Sequence, residues 1–304
     1  MTQPIAKGRA LLAQLRPKQW TKNVFLFPAL VFSQRFLDTT AVMQSLVGFA
    51  SFSLLASAGY VLNDWLDREV DRQHPTKRHR PIASGAISDA EAKLLMAATL
   101  AGGLFLAAHL GRAFTVAALA YLVSTVSYSL YFKHLVILDV MVLAACYVWR
   151  VVGGATAISV DISPWLFLCT AFVALFFGFN KRRAELTKLG AAAGTRKNLA
   201  HYSERLLEEL QSIVTSNTIL SYSLYAVMGS TPWMALTIPF VMYAIFRYIY
   251  LVEQRGEGGA PDETLLSDRP ILLASAGYAV TALAVMLAEH KGWIGPVELL
   301  GGGL

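Results

Sequence analysis

Asn63, Asp64, Asp67 and Asp71 close a long apolar run that starts near Ala41. On a helix continuing through them they fall at about 0°, 100°, 40° and 80° around the axis. One amide and three carboxylates therefore share a face, while Arg68, Glu69 and Arg72 point elsewhere. Carboxylates this close repel one another unless a cation lies between them. An all-oxygen set suits Mg²⁺, which takes one or two carboxylates directly and completes its shell with water and substrate phosphates. Asn63, Asp64, Asp67 and Asp71 are accordingly read as metal ligands, and Asp64, Asp67 and Asp71 as catalytic carboxylates. The bland alternative is a solvated helix end with arginine-paired acids. At the mouth of a membrane helix, however, ionisable groups are functional by default.

The elements that must position this face are membrane spans. Of 304 residues, 55% are hydrophobic and only 15% charged. Repeated apolar runs of about 17–25 residues mean spanning helices. About nine are expected, near 23–36, 41–62, 92–110, 113–132, 135–157, 164–179, 211–228, 232–251 and 270–288. Ser88 and Glu91 form a capping box that starts the third. The chain reads as one all-α polytopic membrane domain over 1–304. Cys146 and Cys169 lie inside apolar runs and read as small core residues.

The basic N-terminal segment 1–22 carries Lys7, Arg9, Arg16, Lys18 and Lys22 and lacks a signal-peptide pattern, so it is expected to be retained. It falls on one side of the membrane with 63–91, Lys133, 180–210 and 253–269. The other side holds little beyond Arg35, Arg112 and Lys291. The positive-inside rule places the loaded side in the cytoplasm, so the acidic face is expected to look there from the inner, cytoplasmic membrane. The net charge of +6 is thus a membrane signal, with no nucleic-acid partner implied.

Asp139 and Arg150 lie within the fifth span, share a face about three turns apart, and are expected to line a polar cavity; the alternative is that each only pairs with partners inside the bundle. Lys181 and Glu185 share a face just past the sixth span, with Arg182 and Arg183 beside them. The two polar helix ends, after the second and sixth spans, read as two halves of one cavity.

The pattern Asn63-Asp64-x-x-Asp67-x-x-x-Asp71 resembles the first aspartate-rich motif of the UbiA superfamily of intramembrane prenyltransferases. Lys77 to Gly85, Tyr128-Ser129-x-x-Phe132-Lys133 and Leu138-Asp139 are similar to further family signatures. The resemblance implies a helical bundle around a central cavity open to the cytoplasm and to lipid.

One departure is informative. The family's second motif, Asp-x-x-x-Asp, is here Lys181-x-x-x-Glu185. An acidic and a basic cluster suit two different phosphates. With Arg16-Pro17-Lys18-Gln19-Trp20-Thr21-Lys22-Asn23, this resembles a branch that transfers 5-phosphoribose from phosphoribosyl pyrophosphate to a polyprenyl (decaprenyl) phosphate for cell-wall arabinan precursors. That resemblance implies substrate contacts from Lys18, Lys22, Asn23, Arg72, Lys77, Arg80, Tyr128, Lys133, Asp139, Arg150, Lys181, Arg182 and Glu185. Membrane lipids are implied partners, and the oligomeric state, a homo-oligomer included, stays open. The alternatives are an ordinary prenyltransferase acting on an aromatic or other small acceptor, and a non-catalytic lipid or solute transporter.

Overall fold

The computed structural model describes residues 7–189, 197–229, 231–255 and 261–294. Among these residues the regular structure is entirely helical. The α-helices are α1 (Lys7–Leu15), α2 (Pro28–Phe32), α3 (Thr39–Leu66), α4 (Arg68–Gln73), α5 (Asp89–Leu110), α6 (Arg112–Leu130), α7 (Leu138–Ala157), α8 (Pro164–Leu189), α9 (Glu204–Met228), α10 (Ile238–Arg255), α11 (Pro261–Ser267) and α12 (Arg269–His290).

Short polar side chains start several of the long ones. Asp38 caps α3 by accepting from the Thr40 and Ala41 amides, and its hydrogen bond from Arg35 holds its carboxyl below the usual range. The expected Ser88–Glu91 capping box is formed at the start of α5. Asp268 accepts from the Ile271 amide at the start of α12 and pairs with Arg247.

Seven of the described helical stretches are long and apolar enough to cross a membrane, and the chain is a multi-pass membrane protein. Two of the nine expected spans are not among them. The run 23–36 is not one helix. It is a 3₁₀ segment, Pro17–Leu26, followed by the single turn and a half of α2 and another short 3₁₀ piece, Arg35–Leu37. Pro17 and Pro28 each open a new element, because proline has no amide to continue the preceding ladder. The run 211–228 is the C-terminal part of α9. That helix carries Ser212, Thr215, Ser216, Thr218 and Ser223, whose hydroxyls fold back onto carbonyls of the preceding turn.

The chain divides into two compact units, one formed by 1–131 with 145–161 and the other by 132–144 with 162–304. In the first, α3 and α5 approach closely at Gly103, whose carbonyl accepts from the Ser51 hydroxyl at 2.8 Å. Phe52 packs between Phe114 and Tyr121. A second cluster, Ala10, Val61, Ile82, Ile87 and Ala92, ties α1 and the 81–87 turn to the end of α3. The second unit is centred on Val140, Phe176, Phe179, Leu199, Leu207, Tyr248 and Leu251.

In α7, Gly154 lies directly against the backbone of Leu26, and any Cβ there would overlap its carbonyl. Gly154→Ala is therefore expected to push the 17–26 segment away from α7, at a cost of roughly 1–3 kcal/mol or more. A thermal denaturation series in detergent that leaves the midpoint unchanged would refute this close approach.

Candidate active site

The end of α3 and the short α4 keep one ladder running through the acidic stretch. The Asp67 amide donates to the Asn63 carbonyl at 2.9 Å and the Asp71 amide to the Asp67 carbonyl at 2.8 Å. The junction falls at Asp67, whose ψ of 3° departs from the helical value and interrupts the regular progression of the face. Asp64 and Asp71 are buried, whereas Asn63 and Asp67 are half-buried.

Three cationic or amide groups converge on Asp64. The Arg16 Nη2 donates to both of its carboxylate oxygens at 2.7 Å, Gln14 Nε2 donates to Oδ2 at 2.9 Å, and Arg80 Nη1 donates to Oδ1 at 3.0 Å. The same Arg80 nitrogen donates to Asp71 Oδ2 at 2.6 Å, and Lys77 approaches Asp71 at 4.0 Å. Two buried carboxylates are thus bridged by one guanidinium nitrogen. Beside them opens a cleft of about 500 Å³ lined by Gln14, Arg16, Lys18, Gln19, Asp64 and Arg80, with Ala13, Pro17 and Pro81.

Arg16 and Gln14 were not among the expected site residues. They are 48 and 50 positions from Asp64, beyond the reach of any local pattern. Arg16 adopts a left-handed backbone, φ 53° and ψ 58°, between α1 and the 3₁₀ segment. That conformation is uncommon for a residue with a Cβ and is concentrated at functional sites. The basic run Arg16-Pro17-Lys18 was the only sequence signal pointing there.

Of the residues expected on the metal face, Asp64 and Asp71 are brought together by Arg80. Among the described residues no three acidic, imidazole or thiol side chains stand close enough to hold a metal unaided. Two carboxylates, Asp64 and Asp71, do converge on a common cationic neighbour, and the donors are all hard oxygens. That arrangement fits a divalent cation of the Mg²⁺ type, whose remaining shell is water and substrate phosphate.

The other expected residues separate into groups. Lys18 is exposed on the cleft wall, and Lys22 is half-buried further along the same 3₁₀ segment. Arg72 is committed to Glu69 and to the Ala83 carbonyl, on the outer side of α4. Tyr128 is half-buried in α6, and Lys133 is half-buried in the short segment after it.

Asn23 and Arg150 form an internal network. Arg150 donates through Nε to Asn23 at 2.7 Å, through Nη1 to the Cys146 carbonyl at 2.8 Å and through Nη2 to the Tyr121 hydroxyl at 3.2 Å. It also stacks over the Tyr121 and Tyr147 rings. Asn23 in turn donates to Ser53. Arg150 therefore anchors the 3₁₀ segment that carries Lys18 and Lys22. Arg150→Lys keeps the charge but loses the planar fork. It is expected to lower the denaturation midpoint, each lost charge-assisted bond being worth about 1.5–3 kcal/mol. An unshifted midpoint would contradict the anchoring role.

In the second unit, Asp139 is fully buried and accepts from Arg182 Nε at 2.8 Å, Asn198 Nδ2 at 3.0 Å and Tyr202 Oη at 2.7 Å. Burial and the hydrogen bond to Asp139 push the Tyr202 phenol upward, so it stays a neutral donor. Arg182, also buried, pairs in addition with Glu185, and Lys181 is exposed. Asp139 thus meets three protein donors. Asn198 and Tyr202 had no sequence signal, since they reach Asp139 across 59 and 63 positions.

An acid-and-arginine cleft at the end of a membrane helix, in an all-helical polytopic chain, has the chemistry of a site for a phosphorylated ligand. The profile of the UbiA prenyltransferase family matches residues 24–263. Two relatives named decaprenyl-phosphate phosphoribosyltransferase match almost end to end. The one from Mycobacterium tuberculosis is 35% identical over 94% of this chain and 97% of its own. The one from Corynebacterium glutamicum is 33% identical over 91% of this chain and 87% of its own. A UbiA homolog from Archaeoglobus fulgidus, solved bound to GPP and Mg²⁺, has the same fold, with a TM-score of 0.71 at 22% identity over 91% of this chain and 99% of its own. The chain belongs to the UbiA family of membrane transferases.

Proposed function

We propose that this protein transfers 5-phosphoribose from phosphoribosyl pyrophosphate to a polyprenyl phosphate, decaprenyl phosphate being the first candidate, and releases pyrophosphate. The observation that supports this reading is the likeness, over most of the chain, to relatives named decaprenyl-phosphate phosphoribosyltransferase. The reading places the enzyme in the inner, cytoplasmic membrane with the Asp64 cleft on the cytoplasmic side, where Lys and Arg are concentrated. Its product would feed cell-wall arabinan synthesis.

The residues suit the chemistry. Asp64 and Asp71, with Asn63 and Asp67 adjoining, would hold Mg²⁺. Bound there, the ion would supply charge compensation for the departing pyrophosphate. Arg16, Lys18 and Arg80 line the same cleft and offer charge-assisted hydrogen bonds to phosphate oxygens, with Lys22 and Lys77 close by along the chain. As the bond at the anomeric carbon lengthens, positive charge develops on the ribose, and an adjacent carboxylate stabilises it. The acceptor is already an anionic phosphate, so no strong general base is required. Orientation supplies much of the remaining rate enhancement. In the second unit, Lys181 is the proposed contact for another substrate phosphate, with Lys133 assisting. Arg182 and Glu185 shape that helix end through their mutual pair.

The test is transfer by the purified protein from labelled phosphoribosyl pyrophosphate to polyprenyl phosphate, with and without Mg²⁺. Product that forms only with the metal supports the reading. Transfer of a prenyl group from a polyprenyl diphosphate to an aromatic acceptor, without phosphoribosyl transfer, would replace it with the ordinary prenyltransferase reading. Lys181→Ala is expected to raise KM for one substrate about tenfold or more and to move the other less. Unchanged KM for both would make Lys181 a membrane-surface residue.

A further inference from the structure

We propose that Tyr60 is a positioning residue that acts through Arg16: its ring holds the Arg16 guanidinium where a donor phosphate meets it. The inference deepens the proposed function and rests on its placing of the donor in the Asp64 cleft.

Tyr60 and Asp64 stand four residues apart on α3, so they lie one turn from each other on the same face. Arg16 reaches both. Its guanidinium carbon is 5.1 Å from the centre of the Tyr60 ring, and its Nη2 donates to the two oxygens of Asp64 at 2.7 Å. That separation is within the range in which an aromatic face attracts a cation. The two contacts restrain different motions. Both bonds to Asp64 leave from one nitrogen, so the planar group can still pivot about it. The ring closes one side of that pivot.

What remains of Arg16 is available to a ligand. Nε and Nη1 carry three of the five N–H donors of the group, and they make no hydrogen bond among the described residues. The side chain is 27% exposed and lines the cleft. Phosphate oxygens match such a guanidinium edge. Ordering a long side chain costs rotamer freedom, and a group already held in place leaves more of the donor's contact energy for affinity. An aromatic face does this without a formal charge, so Arg16 keeps its attraction for phosphate, which a second carboxylate would cancel. The Tyr60 hydroxyl makes no hydrogen bond among the described residues, so the ring face is the part in use.

The experiment measures KM for phosphoribosyl pyrophosphate, KM for polyprenyl phosphate and kcat on the full-length protein and on Tyr60→Phe, Tyr60→Leu and Tyr60→Met. The shift in thermal midpoint caused by the donor is recorded with them, so that binding is read without turnover. Tyr60→Phe keeps the aromatic face and is expected to match the wild-type protein. Tyr60→Leu removes it and is expected to raise the donor KM about three- to tenfold, with the acceptor KM and kcat moving less. Tyr60→Met, also without a ring, takes its place if the leucine variant does not fold. In an Arg16→Gln background the same change at Tyr60 leaves the donor-induced shift unaltered, since the ring then has no cation to hold. An unmoved donor KM in the ring-less variants, a rise shared equally by both substrates, an effect that persists in Arg16→Gln, or a Tyr60→Phe as impaired as Tyr60→Leu would each overturn the proposal while leaving the proposed function intact. The proposal falls too if neither ring-less variant folds. No transfer from phosphoribosyl pyrophosphate by the wild-type protein would overturn both.

Discussion

Asp64→Ala is expected to reduce transfer by a hundredfold or more, to about the level expected for loss of a preorganised electrostatic group. Asp64 is the residue on which Gln14, Arg16 and Arg80 all converge, so its removal does more than subtract a ligand. Arg16 loses the carboxylate it grips, and Arg80 keeps its bond to Asp71. Both guanidinium groups are about a quarter exposed, so water can solvate them, and the fold should survive. The diagnostic result is a well-behaved protein in size-exclusion chromatography that has lost turnover at saturating Mg²⁺. Asp64→Asn sharpens the point, since it keeps the shape and removes the charge. Near-normal turnover by either variant would disprove the assignment of this carboxylate to the reaction.

Asp139→Leu is expected to act on the fold first. Its pair with Arg182 is almost wholly buried, with side-chain exposures of 0% and 2%. Removing one partner of such a pair typically costs about 3–5 kcal/mol, because the other charge stays in a poor solvent. Asn198 and Tyr202 would each lose an acceptor as well. Denaturation of the purified protein in detergent should show the loss directly. The double change Asp139→Leu with Arg182→Leu should be less damaging than the sum of the single ones, since no buried charge is then orphaned. Additive losses would indicate that the two side chains do not interact in solution.

These two aspartates show what was legible in the sequence. Asp64 stood out because its neighbours at one helical spacing are also acidic, and the structure keeps Asp64 and Asp71 together on that face. Local chemistry carried the capping box of α5 in the same way, since Ser88 and Glu91 need only each other and one turn of backbone. Asp139 and Arg150 stood out because charge within an apolar run demands a partner. The identity of that partner did not follow. Arg150 meets Asn23 across 127 positions and Asp139 meets Arg182 across 43, and nothing in a single sequence encodes such pairings. The count of nine spans is not confirmed at two apolar runs. The prolines of 17–28 divide one apolar run, and the hydroxyl-rich stretch of α9 lowers the apolarity of another.

The make-up of the Asp64 cleft has a consequence for biogenesis. Every described residue lining it lies between Ala13 and Pro81. Arg150, which fixes the Lys18-bearing segment through Asn23, leaves the ribosome 69 residues after Pro81. At about 5–20 residues per second that interval is roughly 3–14 s. Throughout it the described lining residues have all been made, while the residue that clamps one of the cleft's walls has not. Translation pauses between α4 and α7 would lengthen that exposed stage. The order of synthesis therefore puts the clamp on that wall last.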